Sequence, residues 1–440
     1  MPQQQNLNHK IWQIAWPAIL SNISIPLLGL VDTAILGHLE STLYLGAVAI
    51  GASILSFLYW GFGFLRMGTT GLVARAAGAG DSARELSVVL QSMVLALVLA
   101  VVVVGLYPLW LELGLYLMSP GPLLEPLARS YVSIRVYSAP AVLVTYAIVG
   151  WFIGRQNTRW PMVFVIVTNL LNLLLDVYFV IILDMKSDGA ALATITAEYV
   201  GCLLAIAALL RKLDLGPIAI VRRQLFKLRA YNELLASNRY LFIRTMCLLF
   251  SFAFFTAMST RLGEATLAAN TIMLQLLMLA AYGLDGFAYA AEGLAGNAAG
   301  AGDLQKFHQA VAACWRLSLV TALAISLCFA LLAPLVYPLF TIHTEVLQIL
   351  NKYHFWLVLM PLSAVLSYLL DGVFIGAARS RYMMYSMAFS VGLVYLPAWM
   401  LLKGFGNHGL WLSFTLFNAS RGLTLAWYYR RLTRSGKWLD

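Results

Sequence analysis

The sequence predicts an all-α integral membrane protein whose twelve transmembrane helices form two parallel six-helix pseudo-repeats. Three observations lead there. Of the 440 residues 61% are hydrophobic and only 11% charged, with a mean hydropathy of +0.81, far from the balance of a soluble domain. Twelve stretches reach the length of the roughly 20 helical residues that cross a hydrocarbon core. The hexapeptide AAGAGD occurs at 76–81 and again at 298–303.

In chain order the spans lie near 11–36, 44–73, 86–107, 123–150, 160–183, 188–210, 235–260, 266–295, 307–333, 345–376, 382–402 and 408–429. The polar start MPQQQNLNHK leads into the first of them without a small-residue cleavage site, so it reads as an uncleaved helix. Cys202, Cys247, Cys314 and Cys328 fall singly inside spans, which gives neither a disulfide framework nor zinc spacing. The longest basic stretch, RKLDLGPIAIVRRQLFKLRAYNELL at 211–235, lies where a linker between two halves belongs. Its VRRQLFKLRAY part is amphipathic and suits the membrane surface. The expected organisation is an N-lobe at 1–210, a linker at 211–234, a C-lobe at 235–430 and a tail at 431–440.

The repeat offset of 222 residues persists beyond the hexapeptide. It carries Gly61 to Gly283, Gly71 to Gly293, Gly150 to Gly372, Phe152 to Phe374, Gly154 to Gly376 and Arg159 to Arg381. One register held this far marks an internal duplication. Six spans per half is an even number, so both halves enter the membrane in the same sense, related by an axis along its normal, as in two-lobed secondary transporters.

The net charge of +10 is unevenly distributed. With the N-terminus inside, the cytoplasmic segments carry 18 basic residues, six of them in the linker, and the opposite loops only Lys186, Arg261 and Lys403. This bias places both termini in the cytoplasm and argues against nucleic acid as a partner. AAGAGD lacks the Gly-Lys-Ser/Thr ending of a phosphate loop and reads as a helix stop with a left-handed glycine. The six histidines show no metal-ligand spacing and no nucleophile elbow is present. No enzyme, cofactor or nucleotide is expected.

What remains is a set of acids inside apolar spans. A charge at a helix centre costs about 2.5–3.5 kcal/mol on insertion scales, so such residues face the bundle interior and mark ion pathways. Asp32 interrupts IPLLGLVDTAILGHL in the first span. Asp176 lies four residues after Asn172 and seven after Asn169, on one face of the fifth. Thr194 and Thr196 in the sixth span and Tyr137 in the fourth complete a candidate polar pocket. In the second half Tyr282, Asp285, Tyr289 and Glu292 form a stripe, and Asp371 interrupts the tenth span. A structural reading stands beside the functional one, because Arg66 and Arg244 also lie within spans and would neutralise acids. The offset takes Asp285 to Gly63 and Asp371 to Val149, so the repeat does not double the site.

With the segments WPAILSNISIPLLGLVDTAILGHL, LRMGTTGLVARAAGAGD, LLNLLLDVYF, YGLDGFAYAAEGLAG and YLLDGVFIGAARS, the chain resembles the multidrug and toxic compound extrusion (MATE) family, and within it the DNA-damage-inducible-F-like bacterial branch. The resemblance implies an antiporter of the bacterial inner membrane, expected as a monomer, that expels organic, often cationic compounds in exchange for H+ or Na+. By position it assigns coupling to Asp32, Asn172, Asp176, Thr194 and Tyr137, and a helix hinge to Pro17, with Pro26 removing a further backbone hydrogen bond. The same oxygens at Asp32, Asn172, Asp176 and Thr194 suit Na+ as well. Residues 235–260 hold no acid, which sets this chain apart from branches with an essential glutamate there. The competing reading is a lipid-linked oligosaccharide flippase of related architecture, which would need a cationic cavity.

These residues suggest how coupling works. Burial disfavours the ionised form of a carboxyl group and a second acid nearby does so further, which suits Asp32 and Asp176 to exchange a proton near neutral pH. Pro17 and Pro26 interrupt the backbone ladder of the first helix, and protonation would bias its packing.

Overall fold

The computed structural model describes residues 2–37, 39 and 41–438, with side chains described from Asn6 onward except at 27, 28, 30–34, 220, 223 and 224. Within hydrocarbon every backbone N–H needs an internal acceptor, so the apolar stretches have little choice but helix. The long helices are α1 (Pro2–Gly37), α2 (Thr42–Gly78, with a turn at Phe62 and Gly63), α3 (Ser82–Gly105), α4 (Glu125–Gly154), α5 (Arg159–Ile182) and α6 (Lys186–Lys212), with a shorter helix at Tyr107–Met118. The second half repeats the pattern with α7 (Asn232–Arg261), α8 (Glu264–Gly300), α9 (Leu304–Phe340), α10 (Thr344–Gly376), α11 (Ser380–Phe405) and α12 (Asn407–Ser435). Ten helical stretches among the described residues are long and apolar enough to cross a membrane. The other two, α1 and α12, fill the first and last expected spans.

The duplicated hexapeptide has the same local structure twice. Gly80 and Gly302 adopt φ of 71° and 73°, a left-handed conformation that glycine accepts freely. The aspartate that follows caps the next helix, with Asp81 Oδ1 accepting from the Arg84 N–H at 2.9 Å and Asp303 Oδ1 from the Lys306 N–H at 2.8 Å. AAGAGD is therefore a helix stop, a turn and an N-cap. The same Lys306 N–H bond holds the Asp303 carboxyl below the usual carboxylate range.

Glycines kept in register by the repeat mark close crossings of helix pairs. A Cβ on Gly150 would lie 2.6 Å from the Arg66 carbonyl oxygen, and one on Gly372 would collide with the carbonyl of Ala288. Arg66 and Ala288 are themselves counterparts under the offset, so α2 with α4 and α8 with α10 cross in the same way. Contact without a side chain is how membrane helices approach closely.

Two compact units emerge. One holds Leu20–Val73 and Asp81–Leu234, and the other holds the chain through Ile19, Ala74–Gly80 and everything from Leu235 onward. The boundary at Ile19 falls inside α1, two residues after the buried Pro17. The second unit is built on an aromatic core: Phe255 meets Trp411 edge-on at 4.9 Å, with Tyr395, Phe414 and Phe417 packed around them. Its C-terminal end folds back, with Trp438 fully buried against Phe307, Phe374 and Tyr429.

Candidate coupling site

Asn172 and Asp176 project one helical turn apart from α5, fully buried and 2% exposed respectively. The Asn172 amide uses its Nδ2 twice, donating to Asp176 Oδ2 at 3.0 Å and to Thr194 Oγ1 of α6 at 3.4 Å. Thr194 passes its own hydroxyl proton to the Ala190 carbonyl at 2.9 Å, leaving the oxygen as acceptor. Among the described residues, Asn172 Oδ1 has no hydrogen-bond partner. A buried polar atom left in this state costs free energy unless a proton, ion or moving side chain meets it.

The carboxylate also sits at a change of backbone winding. Helix α5 is α-helical to Asp176 and becomes a π-helix at Val177–Ile182, a distortion frequent at functional sites. Asn169, one turn earlier, donates to the Ser24 carbonyl oxygen at 3.1 Å and so ties α5 to α1. Asp32 follows Ser24 by about two turns of α1; its side chain lies outside the described residues. Pro17 is buried and Pro26 exposed within the same helix.

The other candidates make contacts of their own. Tyr137 is 56% exposed, and its backbone carbonyl accepts from the Tyr199 hydroxyl at 2.9 Å. Thr196 bonds to the Leu192 carbonyl of its own helix. In the second unit Asp371 Oδ2 is gripped by two guanidinium groups, Arg244 from α7 and Arg421 Nη2 from α12 at 2.8 Å, all three buried. Glu292 is buried and Asp285 half-buried along α8.

Two buried groupings escaped sequence reasoning. Arg135 pairs with Glu198 at 2.7 Å and donates to Ser138 Oγ at 3.1 Å, which in turn meets the Tyr59 hydroxyl at 3.0 Å. Glu198, an acid within the sixth span, carried the signal that singled out Asp176. Asn270 and Asn407 exchange two side-chain bonds of 2.8 and 3.0 Å, while Asn270 also donates to Ser259 Oγ at 2.8 Å and accepts from the Trp411 indole at 2.9 Å. Nothing in the local sequence announces that network.

The MatE family model matches residues 17–178 and again 241–400, one copy in each half of the chain. DNA damage-inducible protein F of Escherichia coli (strain K12) is 40% identical over 97% of this chain and 93% of its own length. Protein DETOXIFICATION 44, chloroplastic, of Arabidopsis thaliana is 30% identical over 98% of this chain and 83% of its own. Among solved structures, the MATE transporter VcmN of Vibrio cholerae in the bent form superposes with a TM-score of 0.86 over the whole of both chains at 23% identity. Duplicated family match, near full-length identity and shared fold place the chain in the MATE family of multi-pass membrane transporters, in its DNA-damage-inducible-F-like branch.

Proposed function

We propose that the chain is a secondary active efflux antiporter that expels organic, often cationic or amphipathic compounds in exchange for protons. The observation that carries this reading is the buried Asn172–Asp176–Thr194 group inside apolar helices α5 and α6. An ionised Asp176 accepts the Asn172 N–H. Once protonated it becomes a donor, and Asn172 Oδ1 is an acceptor within the same group. One proton thus reverses the direction of a buried hydrogen bond and biases the packing of α5. Asp32 on α1 acts with Asp176 as the second carboxyl, and Pro17 and Pro26 let α1 respond. The membrane potential supplies about 2.3 kcal/mol per charge per 100 mV, and no covalent chemistry is required.

The basic residues 211–229 support a cytoplasmic linker, and both termini follow from the even number of spans. Cysteine labelling at Gln224→Cys tests that orientation. For transport, proteoliposomes loaded with a fluorescent organic cation should move it under an imposed pH gradient and lose that movement with Asp32→Asn. Movement under a sodium gradient at clamped pH, with none under a pH gradient alone, would replace the proton by sodium. No movement of any cation under either gradient would sink the efflux reading.

A further inference from the structure

The chain between α6 and α7 carries a surface that neither the fold nor the coupling site uses. A short helix at Ile218–Leu225 is followed by a 3-10 turn at Leu228–Tyr231. Val221 is buried where this helix packs on α3. The Tyr231 hydroxyl donates to the Leu225 carbonyl at 3.0 Å, and Glu233 pairs with Arg84 at the start of α3. The segment is thus pinned rather than trailing.

Its apolar residues have not all been put away. Phe226 is 84% exposed and Leu228 87%, with exposed Lys227 between them and exposed Arg222 and Arg229 beside them. Leu215 and Ile218 are also exposed. In water, such an aromatic and a leucine forfeit most of their burial energy. Here they lie in the chain between two membrane helices, α6 ending in Arg211 and Lys212 and α7 beginning at Asn232. Large apolar side chains interleaved with cations in such a segment match an interface of acyl chains and phosphates.

We propose that residues 215–229 dock on the anionic phospholipid headgroups of the leaflet beside them. Phe226 and Leu228 enter the boundary between headgroups and acyl chains, and Arg222, Lys227 and Arg229 pair with the phosphates. The occupant is lipid rather than a protein groove, because the cations surround the apolar pair and the segment is held at the membrane by the helices on either side. This rests on the chain being membrane-embedded and not on drug export.

The test is hydrogen exchange of the full chain in nanodiscs of phosphatidylcholine, with and without phosphatidylglycerol. Exchange across 215–231 should slow several-fold when phosphatidylglycerol is present. Each basic side chain near an anionic surface is worth about a fivefold change in affinity, so the triple variant Arg222→Gln, Lys227→Gln, Arg229→Gln should abolish the difference. Phe226→Ser should weaken it. Peptides from α5 and α6 report that each variant is folded. Equal exchange in both lipids, or a lipid effect that survives the triple variant in folded protein, overturns the proposal. So does protection reproduced by soluble glycerol phosphate, or protection that follows protein concentration rather than lipid. Both faces of a nanodisc carry the same lipid, so the outcome is independent of topology and transport.

Discussion

Gly78 and Gly300 occupy equivalent places in the two repeats, and each presses on the backbone of the other repeat. A Cβ on Gly78 would collide with the Asn297 carbonyl, and one on Gly300 with the carbonyl of Arg75. The offset of 222 that links Gly78 to Gly300 also links Arg75 to Asn297. The contact is therefore reciprocal, as at an isologous dimer interface, and marks where a local two-fold passes through one chain.

Reciprocity makes a prediction about paired variants. Gly78→Ala and Gly300→Ala should lower the melting temperature in detergent by similar amounts, because each forces the same crossing apart. Overpacking costs about 1–3 kcal/mol where side chains can shift, and a backbone carbonyl shifts less readily, so the upper end is expected. Gly392→Ala, with nothing within 4 Å of its added methyl, is the control. Unequal losses, with one variant indistinguishable from that control, would remove the two-fold.

The second prediction concerns Asp371 and its two arginines. Asp371→Asn should be severely destabilising, since it removes the carboxylate that both buried guanidinium groups bond, a loss of about 3–5 kcal/mol. Arg244→Met should cost less, because Arg421 still meets the carboxylate. Thermal melting of both in one detergent decides it. A normally melting Asp371→Asn protein without transport would make this carboxylate a coupling group instead of a clamp on α7, α10 and α12.

The contrast between Asp371 and Asp176 shows what the sequence can and cannot reveal. The spans were legible because hydrocarbon imposes length and apolarity on each stretch by itself, and the six-plus-six plan because one offset preserved glycines that cross neighbouring backbones. The Asn172–Asp176 pair was legible because one turn of one helix contains it. Asp371 looked equally exceptional, but its partners stand 127 and 50 residues away, and periodicity says nothing about which helices meet. The Asn270–Asn407 network was hidden for the same reason. Tyr137 stands out as a polar side chain in an apolar span and as a position the resemblance assigns, and a single sequence does not reveal which face of α4 carries it; in the structure it is 56% exposed.

Trp438 yields a third prediction. Its indole donates to Thr433 Oγ1 at 3.0 Å, and Arg379 donates to the Lys437 carbonyl at 2.6 Å, so the chain end is latched across the ends of α9, α10 and α12. Under the repeat Trp438 corresponds to Gly216, at the start of the linker that packs on α3, the counterpart of α9. Burying an aromatic of this size is worth about 3–5 kcal/mol against alanine. Trp438→Ala should expose the segment after Leu432 to carboxypeptidase and lower the melting temperature. Unchanged digestion would mean that the latch contributes nothing in solution.

The last prediction separates coupling from structure at Asp176. Asp176→Asn keeps the size of the side chain and still offers an oxygen to the Asn172 amide, so the bond across one turn of α5 survives and melting should change little. Asp371 is bonded to two guanidinium groups, whereas Asp176 accepts from the Asn172 amide, a bond that a neutral side chain can keep. What the asparagine lacks is exchange of a proton, and with it the reversal of donor and acceptor toward Asn172. Proton-driven efflux in liposomes should therefore be lost, while binding of a fluorescent organic cation to the purified protein stays within a few-fold of wild type. Thr194→Val should weaken efflux less, since it removes only the longer of the two Asn172 bonds. Efflux that persists in Asp176→Asn with its dependence on the pH gradient intact would exclude this carboxyl group from coupling and leave Asp32 as the acid to test.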